Sequence, residues 1–265
     1  MALGKLKSFL YSWLLTHNKR VVPTTKSLAL SEFFSMIRPL NSGIPLVRLG
    51  GEGDGGYLVP DDLEGIETCF SPGVSSIAAF ELAFAERGVT CFLADFSVER
   101  APVNHSRIHF DKKFLGTTND DVYMRIDDWV KEKSPNSQND ILQMDIEGAE
   151  YEVLFDISED ILKKFRIIII EFHHLDRLML EGEFKLLNFI FNKINRHFDV
   201  VHIHPNNCER AYNYKEFAIP PIMEFTFLRK DRMLQRTRIT SFPHPLDRKN
   251  VPDLDDVILP KTWWS

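Results

Sequence analysis

The chain has 265 residues, 44% hydrophobic and 26% charged, with a formal net charge of −6. That length suits one α/β domain with extensions, and the composition supplies enough apolar material for a sizeable core. A net negative chain with no basic patch interleaved with aromatics lacks the footprint of a nucleic-acid-binding protein.

Residues 1–43 read as a helical extension, broken at Pro23. Lys5 and Lys7 precede a short apolar run, Phe9 to Leu15, that is below membrane-spanning length and has no small-residue cleavage site after it. An amphipathic helix lying on the domain is expected here, with contact to a membrane surface as the alternative. A cytoplasmic location is expected. Residues 44–60, IPLVRLGGEGDGGYLVP, read as two extended pieces joined by a Gly-rich segment, with Asp54-Gly55 as a turn signal.

A strand–helix alternation follows. Strands are expected at 66–71, 89–95, 106–110, 140–145, 166–172, 200–204 and 223–229, and helices at 75–87, 119–131, 149–155 and 183–196. The run RIIIIEF is apolar almost throughout, as in a strand buried on both faces. The pattern predicts an α/β fold: a mostly parallel, Rossmann-like sheet with helices on both faces, spanning residues 44–235. Residues 236–265 read as a surface-hugging tail rich in Pro and Asp. Cys69 and Cys91 lie in apolar runs and are expected as buried thiols. Neither they nor Cys208 shows C-x-x-C spacing, so no zinc or redox motif is suggested.

In open α/β sheets the ligand lies beyond the carboxyl ends of the strands. After the first strand comes Ser71-Pro72-Gly73-Val74-Ser75-Ser76. Gly73 lets the backbone approach a ligand, and Ser75 or Ser76 is placed to cap the next helix. Asp95 follows Gly73 by 22 residues, near the spacing between a nucleotide-binding glycine turn and the carboxylate that holds ribose hydroxyls. After the fourth strand comes Asp145-Ile146-Glu147-Gly148-Ala149-Glu150, in which Gly148 permits a tight turn and Glu150 favours the helix N-terminus through its dipole.

This D-x-E-G-A-E run resembles the FkbM family of class I methyltransferases, which methylate mainly hydroxyls of sugars and related natural products. The resemblance extends over about residues 45–230. It includes RLGGEGDGGYLV, the acid-ended second strand, the strand end IIIIEFHH and the late MEFTFL strand. It implies a seven-stranded sheet ending in an antiparallel strand, for which Met223 to Arg229 is the candidate. It also implies S-adenosylmethionine as cofactor, with Gly73 against it, Asp95 on its ribose and Asp145 near the transferable methyl. Ser75 stands where such enzymes usually have a second glycine. Gly55 and Gly56, in the Gly-rich segment, are expected against the cofactor's methionine end or the acceptor.

A hydroxyl acceptor needs a base, and histidine suits neutral pH. The fifth strand ends in Glu171-Phe172-His173-His174 and the sixth in His202-Ile203-His204. Neighbouring strand residues face opposite ways, so one of His173 and His174 enters the crevice. His173 is expected as the base, joined by Asp145 and His204 on neighbouring strand ends. A second reading makes Asp145, Glu171, His173 and His204 ligands of a divalent metal ion, although no ligand spacing is diagnostic. The expected partner is a small-molecule acceptor, a carbohydrate by the resemblance. The alternatives are a nucleotide-dependent oxidoreductase, disfavoured by the lack of a full G-x-G-x-x-G, and a degenerate methyltransferase domain that only binds.

Overall fold

The computed structural model describes residues 2–19 and 21–265. Seven strands form the central sheet: β1 (Thr68–Pro72), β2 (Thr90–Ala94), β3 (Ile108–Asp111), β4 (Asp140–Met144), β5 (Phe165–Phe172), β6 (Phe198–Pro205) and β7 (Met223–Arg229). Their spatial order is β6-β7-β5-β4-β1-β2-β3. β7 runs antiparallel to both β5 and β6, and the other pairings are parallel. Every strand of this sheet lies where the sequence pattern predicts it, including the late antiparallel one.

The helices are α1 (Ala2–Thr16), α2 (Ser27–Ile37), α3 (Ala79–Glu86), α4 (Ile126–Lys133), α5 (Glu150–Asp156), α6 (Glu159–Leu162) and α7 (Glu181–Asn195). The period-2 alternation of the strands splits the core into two layers. Ile168 and Ile170 of β5 join Phe70 and Leu142 beneath α2, α4, α5 and α7. Ile167 and Ile169 join Cys69 and Ile141 on the other face, beneath α3 and the antiparallel hairpin Leu46–Leu49/Tyr57–Pro60. β5 is buried along its whole length, which is why its sequence shows no polar alternation. Cys69 and Cys91 are both buried and free, directly opposite each other on β1 and β2.

Four local expectations are corrected. Neither Ser75 nor Ser76 caps α3, which starts later with Ala78 at its N-cap and no side-chain bond there. Ser75 is held instead at φ +42°, outside helical space. The helix expected over 119–131 begins at Ile126. Asp120 accepts the N–H groups of Val122 and Tyr123, and Asn119 accepts that of Arg125, so side chains compete for the backbone donors a helix would need. Among the described side chains of α1, Phe9 is 70% exposed and Trp13 49%, so this part of the helix does not lay its apolar residues on the domain. The C-terminal segment does more than hug the surface. Trp263 is fully buried, packs on Phe34 of α2, and donates its indole N–H to the Ala218 carbonyl.

Candidate active site

The carboxyl ends of β1, β2 and β4 enclose a cavity of about 510 Å³, lined by Gly73, Ser75, Asp95 and Asp145 with Asp54 and Gly55 of the Gly-rich segment. Gly73 leaves β1 at φ +88°, and a Cβ there would stand 1.5 Å from the carbonyl oxygen of Asp145. The β1 turn and the end of β4 therefore meet backbone to backbone, which only glycine allows. Asp95 is buried after β2. Its Oδ2 accepts the Ser75 N–H at 2.9 Å, and its Oδ1 accepts the N–H and hydroxyl of Ser97 at 2.7 and 2.6 Å. The carboxylate thus ties the glycine turn to the end of β2. Three of its roughly four acceptor sites are in use. Gly55 faces the cavity, whereas Gly56 is packed inside its own loop, where a Cβ would meet the Gly51 carbonyl at 2.0 Å.

The cavity floor is polar and buried. Ser71 Oγ is hydrogen-bonded both to Glu81 and, at 2.6 Å, to Gln143, whose amide donates to the Tyr57 hydroxyl at 3.1 Å. Burial raises the Glu81 carboxyl to about 7, against the opposing bond from Ser71. One hydroxyl proton cannot serve two acceptors, and a neutral Glu81 that donates to Ser71 Oγ resolves the conflict.

The D-x-E-G-A-E turn bends sharply, with Glu147 at φ +56° and Gly148 at φ +103°. Glu150 is fully buried, and its Oε1 accepts the N–H groups of Ile146 and Gly148, each at 3.1 Å. His173 Nδ1 reaches the same oxygen at 3.2 Å. An oxygen already accepting backbone donors needs a donor from the ring, so the proton sits on Nδ1 and the neutral imidazole keeps its lone pair on Nε2. That Nε2 lies 3.9 Å from Asp145 Oδ1, 3.7 Å from Glu171 Oε1 and 3.5 Å from Glu147 Oε2. Burial alone would lower the His173 pKa. The Glu150 hydrogen bond and the charges of Glu150, Asp145 and Glu147 outweigh it and raise the value. Burial raises Asp145 to about 7, with His173 opposing. Burial and the charges of Asp145 and Glu224 push Glu171 well above the usual range. His174 is exposed at φ +59°, so of the two histidines only His173 turns inward.

His204 stands apart. β7 lies between β5 and β6, so their ends are not neighbours. The register sets Glu171, Glu224 and His204 in one row across the sheet. Two strand spacings, roughly 10 Å, therefore separate His204 from Glu171. His204 Nδ1 lies 3.8 Å from Asp247 of the C-terminal segment, which also stands 2.9 Å from His202 Nε2.

Residues 85–197 match the family model of the methyltransferase FkbM domain. The chain carries a methyltransferase FkbM domain over that span. The matched span holds Asp95, Asp145, Glu150 and His173, and the sheet order around it is that of a Rossmann-like α/β fold. The match favours a methyltransferase over the oxidoreductase alternative. No curated protein matches the chain. Methyltransferases of this kind use S-adenosylmethionine in general. Among the described residues no helix is long and apolar enough to cross a membrane.

Sequence reasoning reads Glu150 only as a favourable charge at the start of α5 and misses that it orients His173. It also misses Tyr57, Glu81 and Gln143 on the cavity wall. The offset of two residues between Glu150 and Gly148 was a usable signal, because a carboxylate there reaches back to the turn's own N–H groups.

Proposed function

We propose that this methyltransferase transfers the methyl group of S-adenosylmethionine to a hydroxyl of a sugar or related small molecule. What carries the reading is the joining of two chemistries at Asp145, which lines the cavity beside Gly73 and Asp95 and also stands beside His173. The cavity volume falls within the range of roughly 300–1,000 Å³ typical of small-molecule sites.

The residues on the β1–β2 side fit the cofactor. The Gly73 turn offers close backbone approach, and Asp95, with one acceptor site free and Ser97 Oγ able to rotate away, suits a ribose diol. Gly55 and Asp54 close the opposite wall. Ser75 takes the left-handed backbone that a glycine would take more easily, and its N–H is spent on Asp95, so its side chain is no obstacle to the turn.

Bound S-adenosylmethionine supplies an electrophilic methyl carbon, whose bonding pair stays with sulfur as the acceptor oxygen attacks. A hydroxyl oxygen is a weak nucleophile until its proton is drawn off. We assign that activation to His173 and Asp145. The lone pair on Nε2 is the basic atom offered to the acceptor, and Asp145 stabilises the positive charge the ring gains. His204 has no part in this step at its distance from the cluster.

Calorimetry with S-adenosylmethionine, followed by a transfer assay over a panel of monosaccharides and other hydroxylated acceptors, tests the reading. Binding with methyl ether formation is expected. Binding with transfer only to nitrogen or carbon acceptors would overturn the hydroxyl assignment.

A further inference from the structure

We propose that Asp145, Glu171 and His173 together bind one divalent cation of the Mg²⁺ or Mn²⁺ class at the acceptor end of the sheet. The inference rests on the reading of this end as the acceptor site; with the ion bound, the Nε2 lone pair of His173 is a ligand and the basic role assigned to it above passes to Glu147.

Each of the three side chains offers one ligand atom, and these atoms lie within 4.8 Å of one another. Two donors held at ~2.1 Å from a common ion stand about 3 Å apart when cis and about 4.2 Å when trans. The spacings from His173 Nε2, 3.9 Å to Asp145 and 3.7 Å to Glu171, fall in that range. The donor set, two carboxylates and an imidazole, is of the hard to borderline kind that suits such ions.

Two further observations favour a cation between these side chains. Asp145 Oδ1 and Glu171 Oε2 are buried with no hydrogen-bond partner, and the Glu171 side chain is 5% exposed. Buried carboxylate oxygens are ordinarily satisfied, so one unpartnered oxygen on each of these two carboxylates leaves room for a ligand. No lysine or arginine among the described residues pairs with Asp145, Glu171 or Glu150, and their ion-pair contacts are with His173 alone. Several acids share a buried corner with one imidazole, and such a corner takes up either protons or a cation.

The surrounding groups are arranged as around a metal. Glu150 fixes the His173 tautomer by accepting the Nδ1–H hydrogen bond, which leaves Nε2 as the ligand atom. Asn206 donates to Glu171 Oε1 at 3.1 Å and orients that carboxylate. Partners of this type set ligand orientation in metal sites. An ion there would polarise the acceptor hydroxyl directly. His173 would then serve as a ligand, and the exposed Glu147 carboxylate, 3.5 Å from Nε2, would take the proton.

The test is Mn²⁺ titration of the full chain by calorimetry and by electron paramagnetic resonance, without cofactor or acceptor. One saturable site is expected, with a rise in melting temperature on adding the ion. Asp145→Asn and Glu171→Gln should each weaken Mn²⁺ binding by tenfold or more, whereas Glu99→Gln, at an exposed surface pair, should not. Absence of a saturable site at millimolar Mn²⁺ overturns the proposal, as does a site indifferent to both substitutions. Should either variant fold poorly, the wild-type melting shift and its reversal by chelator still decide. Mn²⁺ binding without transfer to any hydroxyl would keep the ion and remove the acceptor reading. Chelator-insensitive transfer without Mn²⁺ binding would do the reverse.

Discussion

His173 donates its Nδ1 proton to Glu150 Oε1 at 3.2 Å, and the same oxygen holds the backbone N–H groups of Ile146 and Gly148. One carboxylate therefore builds the β4–α5 turn and sets the tautomer of the histidine at the end of β5. His173→Ala is expected to lower turnover by about 10²- to 10⁴-fold. The affinity for S-adenosylmethionine, measured by calorimetry, should stay nearly intact. Fully active His173→Ala protein would remove the imidazole from the reaction.

Glu150→Gln separates the two duties of that carboxylate. The amide oxygen can still accept from the turn, but the charge that raises the His173 pKa is gone. The ring then loses its proton at lower pH, so the acid limb of the pH–rate profile should move to lower pH. An acid limb that stays in place would show that His173 is not the group it reports.

Gly73 and Gly88 share nearly the same backbone angle, φ +88° and +87°, in very different surroundings. A Cβ at Gly88 meets nothing within 4 Å, whereas at Gly73 it would collide with the Asp145 carbonyl. Gly88→Ala should cost only the left-handed strain, about 1–2 kcal/mol in urea unfolding. Gly73→Ala should cost clearly more, because backbone must move, and should abolish S-adenosylmethionine binding. Equal losses in the two variants would mean that the β1 turn relaxes freely and that its closeness to Asp145 is not needed.

The sheet was legible because its strands carry near-continuous apolar runs and end in acids, glycines and histidines. Met223 to Arg229 was placed by its alternation, and its antiparallel direction only by resemblance. The site was legible one strand end at a time. Gly73, Asp95, Asp145 and His173 are local features of strand ends, and each lies in or beside one crevice. His204 shows the limit, since nothing local says that β7 inserts between β5 and β6. The same limit hides Asp247 and Asn250, which the C-terminal segment folds back to His202 and Glu224. The late start of α4 was missed because Asn119 and Asp120 capture backbone donors, an effect that apolar periodicity does not register.

Asp95 carries a structural duty beside its proposed cofactor role, which shapes the test. Asp95→Ala removes the tie to Ser75 and Ser97 as well as the ribose acceptor. S-adenosylmethionine binding should weaken by about 10- to 100-fold, equivalent to ~1.5–3 kcal/mol. Asp95→Asn keeps one acceptor oxygen and should lose less. Unchanged affinity in a folded Asp95→Ala protein would take Asp95 out of the cofactor site.

Glu81 makes a prediction about stability rather than turnover. Its carboxyl is raised to about 7, chiefly by burial, above the ordinary value of 4.5. Between these two values the folded chain holds a proton that the unfolded chain has released. The stabilisation is complete below about 4.5, falls as pH rises through 7, and is absent above it. A shift of this size corresponds to roughly 3 kcal/mol at most. Glu81→Gln keeps a donor toward Ser71 Oγ and never ionises, so it should be more stable than the wild type near pH 8. Below pH 5 the two should be nearly equal. Urea unfolding at a series of pH values measures the difference directly. A difference between the two proteins that does not grow from pH 5 to pH 8 would show that Glu81 ionises at its ordinary pH despite its burial. The proton-sharing arrangement of Glu81, Ser71 and Gln143 would then have to be abandoned.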